Sequence, residues 1–235
     1  MRPWAIFRRI SRRSWKGLGA LLAPFLLGLS VLVLSGASGD VTPERIQAGV
    51  LALGPPGLMA FLVAAAIRPL SVVVSGSLFA VAAGLIWGAW LGAAIALAGA
   101  AGASLLVHGL ARSFGTGAVR DLAGPRWERF SALARARGFA FVLVATIGFL
   151  VPTDVVIAVS AASGMRARTV VAATTLGSVP GTLAMAALGA TAARPSPPVV
   201  TAAVAAIVAL TVLGVVLAKR LAVAPSPAAP PDAGA

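Results

Sequence analysis

The chain has 235 residues, of which 59% are hydrophobic and only 11% charged, and its mean hydropathy is +0.98. A soluble domain carries roughly 25% charged residues, so this balance excludes an ordinary soluble protein and points to an integral membrane protein with one compact membrane domain. The net charge of +13 comes mostly from Lys and Arg between apolar runs, which is the pattern of cytoplasmic loops and not of a nucleic-acid-binding domain.

Residues 1–16 hold Arg2, Arg8, Arg9, Arg12, Arg13 and Lys16 and read as a basic cytoplasmic N-terminus. A first apolar run follows from Gly17 to about Leu34. It reads as a retained helix. The alternative is a leader cut near Ala37-Ser38-Gly39, but its apolar core would exceed the usual ~7–15 residues. Thr42, Pro43 and Glu44 then form a helix start. A short interfacial helix on the outer side, closed by Gly54-Pro55-Pro56, is expected there, completing a unit over 17–54.

Residues 55–192 read as the core. Gly57 to Gly84 is apolar but broken by Arg68-Pro69 and Ser75-Gly76-Ser77. Leu85 to about Leu110 is long enough to cross a bilayer, which needs ~20 apolar residues. Gly84, Gly88 and Gly92 form a small-residue series that lets helices approach closely. His108 near the far end reads as an interfacial or hydrogen-bonded histidine, with a proton relay as the alternative. Within the polar stretch Arg112 to Gly138, an amphipathic helix is expected from Pro125 to Gly138. Its stripe of Trp127, Phe130 and Leu133 would lie along the cytoplasmic interface. Phe139 to Gly164 is a second broken run, interrupted at Pro152 and Asp154. Thr169 to about Thr191 can span and contains Gly177, Pro180 and Gly181. Residues 193–220 hold the last spanning helix, and 221–235 form a Pro/Ala-rich tail expected to be disordered.

Charge selects the topology. If both broken runs crossed as ordinary helices, the Arg112–Arg137 cluster would face outside, against the positive-inside rule. If both are re-entrant hairpins from opposite faces, only Arg45 and Arg194 are outside and both termini are cytoplasmic. The expected fold is therefore all-α, with about four transmembrane helices and two opposed re-entrant hairpins. Paired broken segments in inverted repeats point to a transporter site.

The chemistry gathers at the hairpin tips. Arg68 is a planar donor fork suited to phosphate or carboxylate. Asp154 is the only acid at membrane depth, and charges at that depth are functional candidates with a partner. The two either hold a substrate between them or pair structurally. Ser71, Ser75, Thr146 and Thr153 are candidate lining hydroxyls, each with a backbone-bonding hydroxyl as the alternative, and Asp154 is the candidate proton carrier. With no cysteine and one histidine, disulfides, thiolate sites and histidine clusters are excluded, and no metal or cofactor is expected. One acid cannot form an aspartyl-protease pair, so no enzyme is expected.

In order and spacing, Arg68-Pro69-Leu70-Ser71, Gly84-Leu85-Ile86-Trp87-Gly88, Pro152-Thr153-Asp154, Ser163-Gly164-Met165 and the run from Thr174 to Thr182 resemble the DedA-like superfamily. This is the VTT domain of SNARE-associated Golgi-type membrane proteins. The resemblance covers roughly Pro55 to Leu188. It implies opposed re-entrant hairpins and a bacterial inner-membrane protein that moves lipids, either a phospholipid or a polyprenyl-phosphate carrier, with protons as a candidate driving ion. Arg68 and Pro69 match its first-hairpin signature, and Pro152 and Asp154 its second. Gly177, Pro180 and Gly181 match the following helix, and Gly76, Gly84 and Gly164 are taken as structural glycines. The family usually places an arginine, then a proline three residues on, before the second-hairpin proline. Here those positions are Thr146 and Phe149, so a two-arginine phosphate clamp does not carry over. The functional expectation is a lipid flippase or scramblase. The alternative is a non-transporting scaffold whose Arg–Asp pair is structural.

Overall fold

A computed structural model describes residues 43–70, 75–147, 152–192 and 196–223. Among them every regular element is helical. In chain order these are α1 (Pro43–Ala52), α2 (Pro55–Ile67), a 3-10 turn (Arg68–Leu70), α3 (Gly76–Trp87), α4 (Ala89–Ala123), a 3-10 turn (Gly124–Arg126), α5 (Trp127–Ile147), α6 (Thr153–Ala162), α7 (Ala167–Ala190) and α8 (Pro197–Val223). Four helices are long and apolar enough to cross a membrane, over Ala89–Asp121, Trp127–Ile147, Ala167–Ala190 and Pro197–Arg220.

Proline and glycine place the joints. Gly54 takes φ 57°, and Pro55 and Pro56 start α2, where a missing N–H costs no helical bond. Gly88 (φ 82°) separates α3 from α4, and Gly115 (φ 79°) bends α4 near its end. At Gly164 (φ 89°), α6 closes in a Schellman motif: Met165 N–H donates to the Ser160 carbonyl and Gly164 N–H to that of Ala161.

α4 and α7 form an antiparallel central pair. Gly92 of α4 lies on the backbone at Ala83 and Gly84 of α3, and Gly84 lies on Ala186 near the end of α7. At the other end of α4, His108 Nε2 donates to the Met165 carbonyl just before α7 (3.0 Å). A first hairpin, α2–α3, folds back on itself. Phe61 packs edge-on against Phe79 and Trp87, and Gln47 of α1 donates to the Ile86 carbonyl at the end of α3 (3.2 Å). A second hairpin joins the latter half of α5 to α6. Phe141, Val142 and Ala145 share a core with Val156, and Gly138 rests on Met165. The first limb of each hairpin packs on the long helix that follows it, α2 on α4 and α5 on α7. The second limbs exchange, α3 on α7 and α6 on α4. α8 runs along the outside of α5 and α7 and is mostly unburied.

Both hairpins turn halfway along these long helices. Ala65 and Ala66, just before Arg68, meet Gly99 and Gly102, near the middle of the straight stretch of α4. Gly177, near the middle of α7, meets the Leu143 carbonyl and Thr146 at the end of α5. At 1.5 Å per residue, α2 and α3 are each about 20 Å long, short of a ~30 Å hydrocarbon core.

Several expectations change in detail. The expected first helix (17–34), the basic N-terminus and residues 224–235 lie outside the described residues, as do Ser71, Phe149 and Arg194. The first hairpin ends at Trp87, not Gly84, and Gly84, Gly88 and Gly92 are not one stripe. Gly84 packs on α7, Gly88 is a joint, and Gly92 packs on α3. α8 continues to Val223, beyond the expected limit at residue 220. The amphipathic helix ends at a non-helical Arg137 (φ −136°, ψ 20°), one residue before the expected stop at Gly138, and a second helical stretch runs on to Ile147. That break leaves a limb of ten residues, 138–147, in line with α6. Its apolar stripe also faces inward. Trp127 and Phe130 pack on the buried cluster of Ile157, Ala158, Val159 and Val170, so the stripe covers the second hairpin instead of facing lipid.

The closest approaches have no room for a side chain. A Cβ at Gly84 would fall on the Ala186 backbone, and one at Gly189 on the Val81 carbonyl. Overpacking costs about 1–3 kcal/mol, and more where backbone must move. Gly84→Val is therefore expected to lose at least that much stability in detergent melting. Gly109→Ala, whose Cβ would meet nothing within 4 Å, is expected to be neutral. Equal melting of the two variants would contradict this packing.

Candidate functional site

Arg68 follows directly on α2, where Pro69, lacking an N–H, interrupts the helical ladder. Asp154 lies in the first turn of α6, after Pro152 in extended geometry (φ −50°, ψ 124°). Although 86 positions apart, they meet. Arg68 Nη1 donates to Asp154 Oδ2 and Nη2 to Oδ1, each at 3.3 Å. This two-pronged pairing suits a guanidinium and a carboxylate. The side chains are 15% and 37% exposed, so the pair is shielded without being sealed.

Two helix starts flank the pair. The Arg68 guanidinium rests on Gly76, where an added Cβ would lie 3.4 Å from Cζ. Gly76 opens α3, whose N-cap Ser75 accepts from Ser77 N–H (3.4 Å), with the Ser75 and Ser77 hydroxyls 2.8 Å apart. A helix N-terminus carries roughly half a positive charge. The carboxylate in the first turn of α6 is favoured by that field. Cation, anion and two positive helix ends together leave a positive excess, which can attract a second anion.

The other expected site residues divide. Pro152 is exposed beside Asp154 and Thr153 is half-buried. Thr146 takes the backbone-bonding role that is the alternative to lining a cavity. It is only 4% exposed, its hydroxyl donates to the Val142 carbonyl (2.8 Å), and it packs on Gly177. Inside a helix with no water beside it, a threonine hydroxyl bonds back to the preceding turn. Ser71 lies outside the described residues. Gly177 and Gly181 face the interior of α7, and Pro180 lies between them, removing one helical donor.

The structure gives partners that the sequence did not name. Gly76 makes room for the guanidinium, a role that becomes visible only when the chain turns back. Gln47 and His108 each hold the return end of a hairpin by one bond to a carbonyl. The carbonyl only accepts, so His108 Nε2 carries the proton. The Thr174 and Thr175 hydroxyls are buried with no partner among the described residues.

Compared with known proteins, residues 72–191 match the family model described as the VTT domain. The match includes Asp154 and begins just after Arg68. No curated protein and no solved structure matches the chain.

Removing one member of a shielded ion pair strands the other, whereas replacing both with apolar groups is often tolerated. Arg68→Leu and Asp154→Leu are each expected to cost on the order of 2–3 kcal/mol, and the double variant less than their sum. A double-mutant cycle by denaturant melting in detergent measures the coupling. Additive losses would show that the two side chains do not interact.

Proposed function

This chain belongs to the VTT-domain family of the DedA-like superfamily, and from that premise we propose that it is a transporter, a flippase or scramblase, for a phosphate-bearing membrane lipid. The carrying observation is that two helix breaks, each halfway along a long helix, are bridged by Arg68 and Asp154. In this reading the breaks are the tips of re-entrant hairpins entering from opposite faces. Non-helical backbone at that depth survives only where protein or a wet cavity surrounds it. Broken helices with their N-termini aimed at the centre are how transporters hold anionic groups.

The mechanism follows from the charges. Arg68 and the α3 N-terminus supply donors for a lipid phosphate, either of a phospholipid or of a polyprenyl-phosphate carrier. To bind it, Arg68 releases at least one prong from Asp154. The freed carboxylate then accepts a proton or a headgroup ammonium, so no bare charge remains at mid-bilayer, where one is expensive. With a single arginine the grip on phosphate is weaker than that of a pair, which suits release on the far side. The expected location is a bacterial inner membrane with both termini cytoplasmic.

One observation favours a second reading. Asp154 already occupies both prongs of Arg68, as a structural pair in a non-transporting scaffold would. Liposomes carrying the full-length protein and a headgroup-labelled lipid distinguish the two. Arg68→Ala and Asp154→Asn are each expected to slow lipid movement tenfold or more. The Arg68→Leu/Asp154→Leu double variant is expected to stay folded and remain inactive. Unchanged movement in all three would reject this site, and absence of movement in the wild-type protein for every phospholipid and polyprenyl phosphate tried would favour the scaffold.

A further inference from the structure

We propose that the basic end of the molecule is a binding surface for anionic phospholipid headgroups, separate from the Arg68 site. Three stretches of chain converge there. The His108–Met165 hydrogen bond sets the end of α4 beside the α6–α7 link. Arg112 is one turn beyond His108, and Arg166 and Arg168 begin one residue after Met165. Gly138 rests on Met165, which brings in the first half of α5 with Arg129 and Arg135. All five arginines are exposed. α8 returns along α7 and carries Lys219 and Arg220 to the same end.

Little at that end neutralises them. Its acids among the described residues are Asp121 and Glu128, and Glu128 is engaged by Arg120. Among the described residues, no salt bridge involves Arg112, Arg129, Arg135, Arg166 or Arg168. At the opposite end, Glu44 and Arg45 balance. The positive-inside rule requires only that such charges stay on one side. The fold goes further and gathers arginines from three segments at one end.

The neighbouring surface identifies the partner as lipid, not a soluble polyanion. Leu105, Phe114 and Phe139 are exposed beside the arginines. Apolar side chains open to acyl chains, with guanidinium groups just beyond them, match the boundary between hydrocarbon and headgroups. Clustered basic residues at that depth attract anionic lipid. The shared chemistry is a phosphate anion, which a free phosphate also offers.

The test uses the full-length protein in detergent, titrated with short-chain phosphatidylglycerol, phosphatidylcholine, inorganic phosphate or a short DNA duplex, with binding followed by the thermal midpoint. Phosphatidylglycerol is expected to raise the midpoint, with an effect that weakens steeply as salt increases. Phosphatidylcholine and inorganic phosphate are expected to have little effect. Arg129→Gln/Arg135→Gln/Arg166→Gln/Arg168→Gln should bind phosphatidylglycerol roughly tenfold or more weakly, while Arg45→Gln, exposed at the opposite end, keeps full binding. An unaffected quadruple variant, an equal loss of binding in Arg45→Gln, an equal shift with inorganic phosphate, or tighter binding of DNA would overturn the proposal. Should the quadruple variant fail to fold, the salt titration of the wild-type protein decides, and salt-independent binding would overturn it.

Discussion

A broken helix inside a bilayer must find other protein for its freed backbone groups, because hydrocarbon offers no hydrogen bonds. Much of this fold follows from that constraint. Two breaks are placed against each other, so each provides the polar neighbour that the other needs. Arg68 brings a cation to one break and Asp154 an anion to the other, and their two-pronged contact joins the hairpins. In the proposed re-entrant arrangement, neither charge would be tolerable alone at mid-bilayer. The glycines and alanines of α3, α4 and α7 then do what bulkier residues could not, bringing backbones close enough for short hairpins to reach the centre.

The two halves are related but unequal. Each hairpin leans its first limb on the long helix that follows it, and its second limb also reaches the long helix of the other half, so the two halves interlock. The first hairpin is clasped by α1 through Gln47, and the second by α4 through His108. The second is also covered by the start of α5, whose Trp127 and Phe130 bury its core-facing valines. Placing a single arginine at the centre, balanced by a single acid, gives a site with little net charge of its own. In the proposed function, its affinity for an anion would come from the helix ends around it.

Much of this was legible in the sequence because the signals were chemical and local. Arg68-Pro69 and Pro152-Thr153-Asp154 combine a helix breaker with a charge in apolar surroundings. Because Asp154 is the only acid in such surroundings, its partner could be named before the fold was known. Features that depended on tertiary approach were not legible. Gly84, Gly88 and Gly92 have the spacing of one packing stripe, yet Gly88 takes a positive φ and divides it. The stripe of Trp127, Phe130 and Leu133 has the periodicity of an interfacial helix. Periodicity shows that a face is covered, not what covers it, and here much of the cover is protein. Thr146 spends its hydroxyl on the Val142 carbonyl, one of the two roles that the sequence left open for it.

The central claim is that the first hairpin turns back at mid-bilayer while α4 crosses. The native chain has no cysteine, so single cysteines at Leu53, Trp90 and Arg120, all on exposed side chains, can be probed with a membrane-impermeant thiol reagent on sealed, oriented vesicles. Leu53→Cys and Trp90→Cys are expected to label from one face and Arg120→Cys from the other. Labelling of Leu53→Cys and Trp90→Cys from opposite faces would mean that α2 and α3 cross the bilayer, contradicting the account at its base.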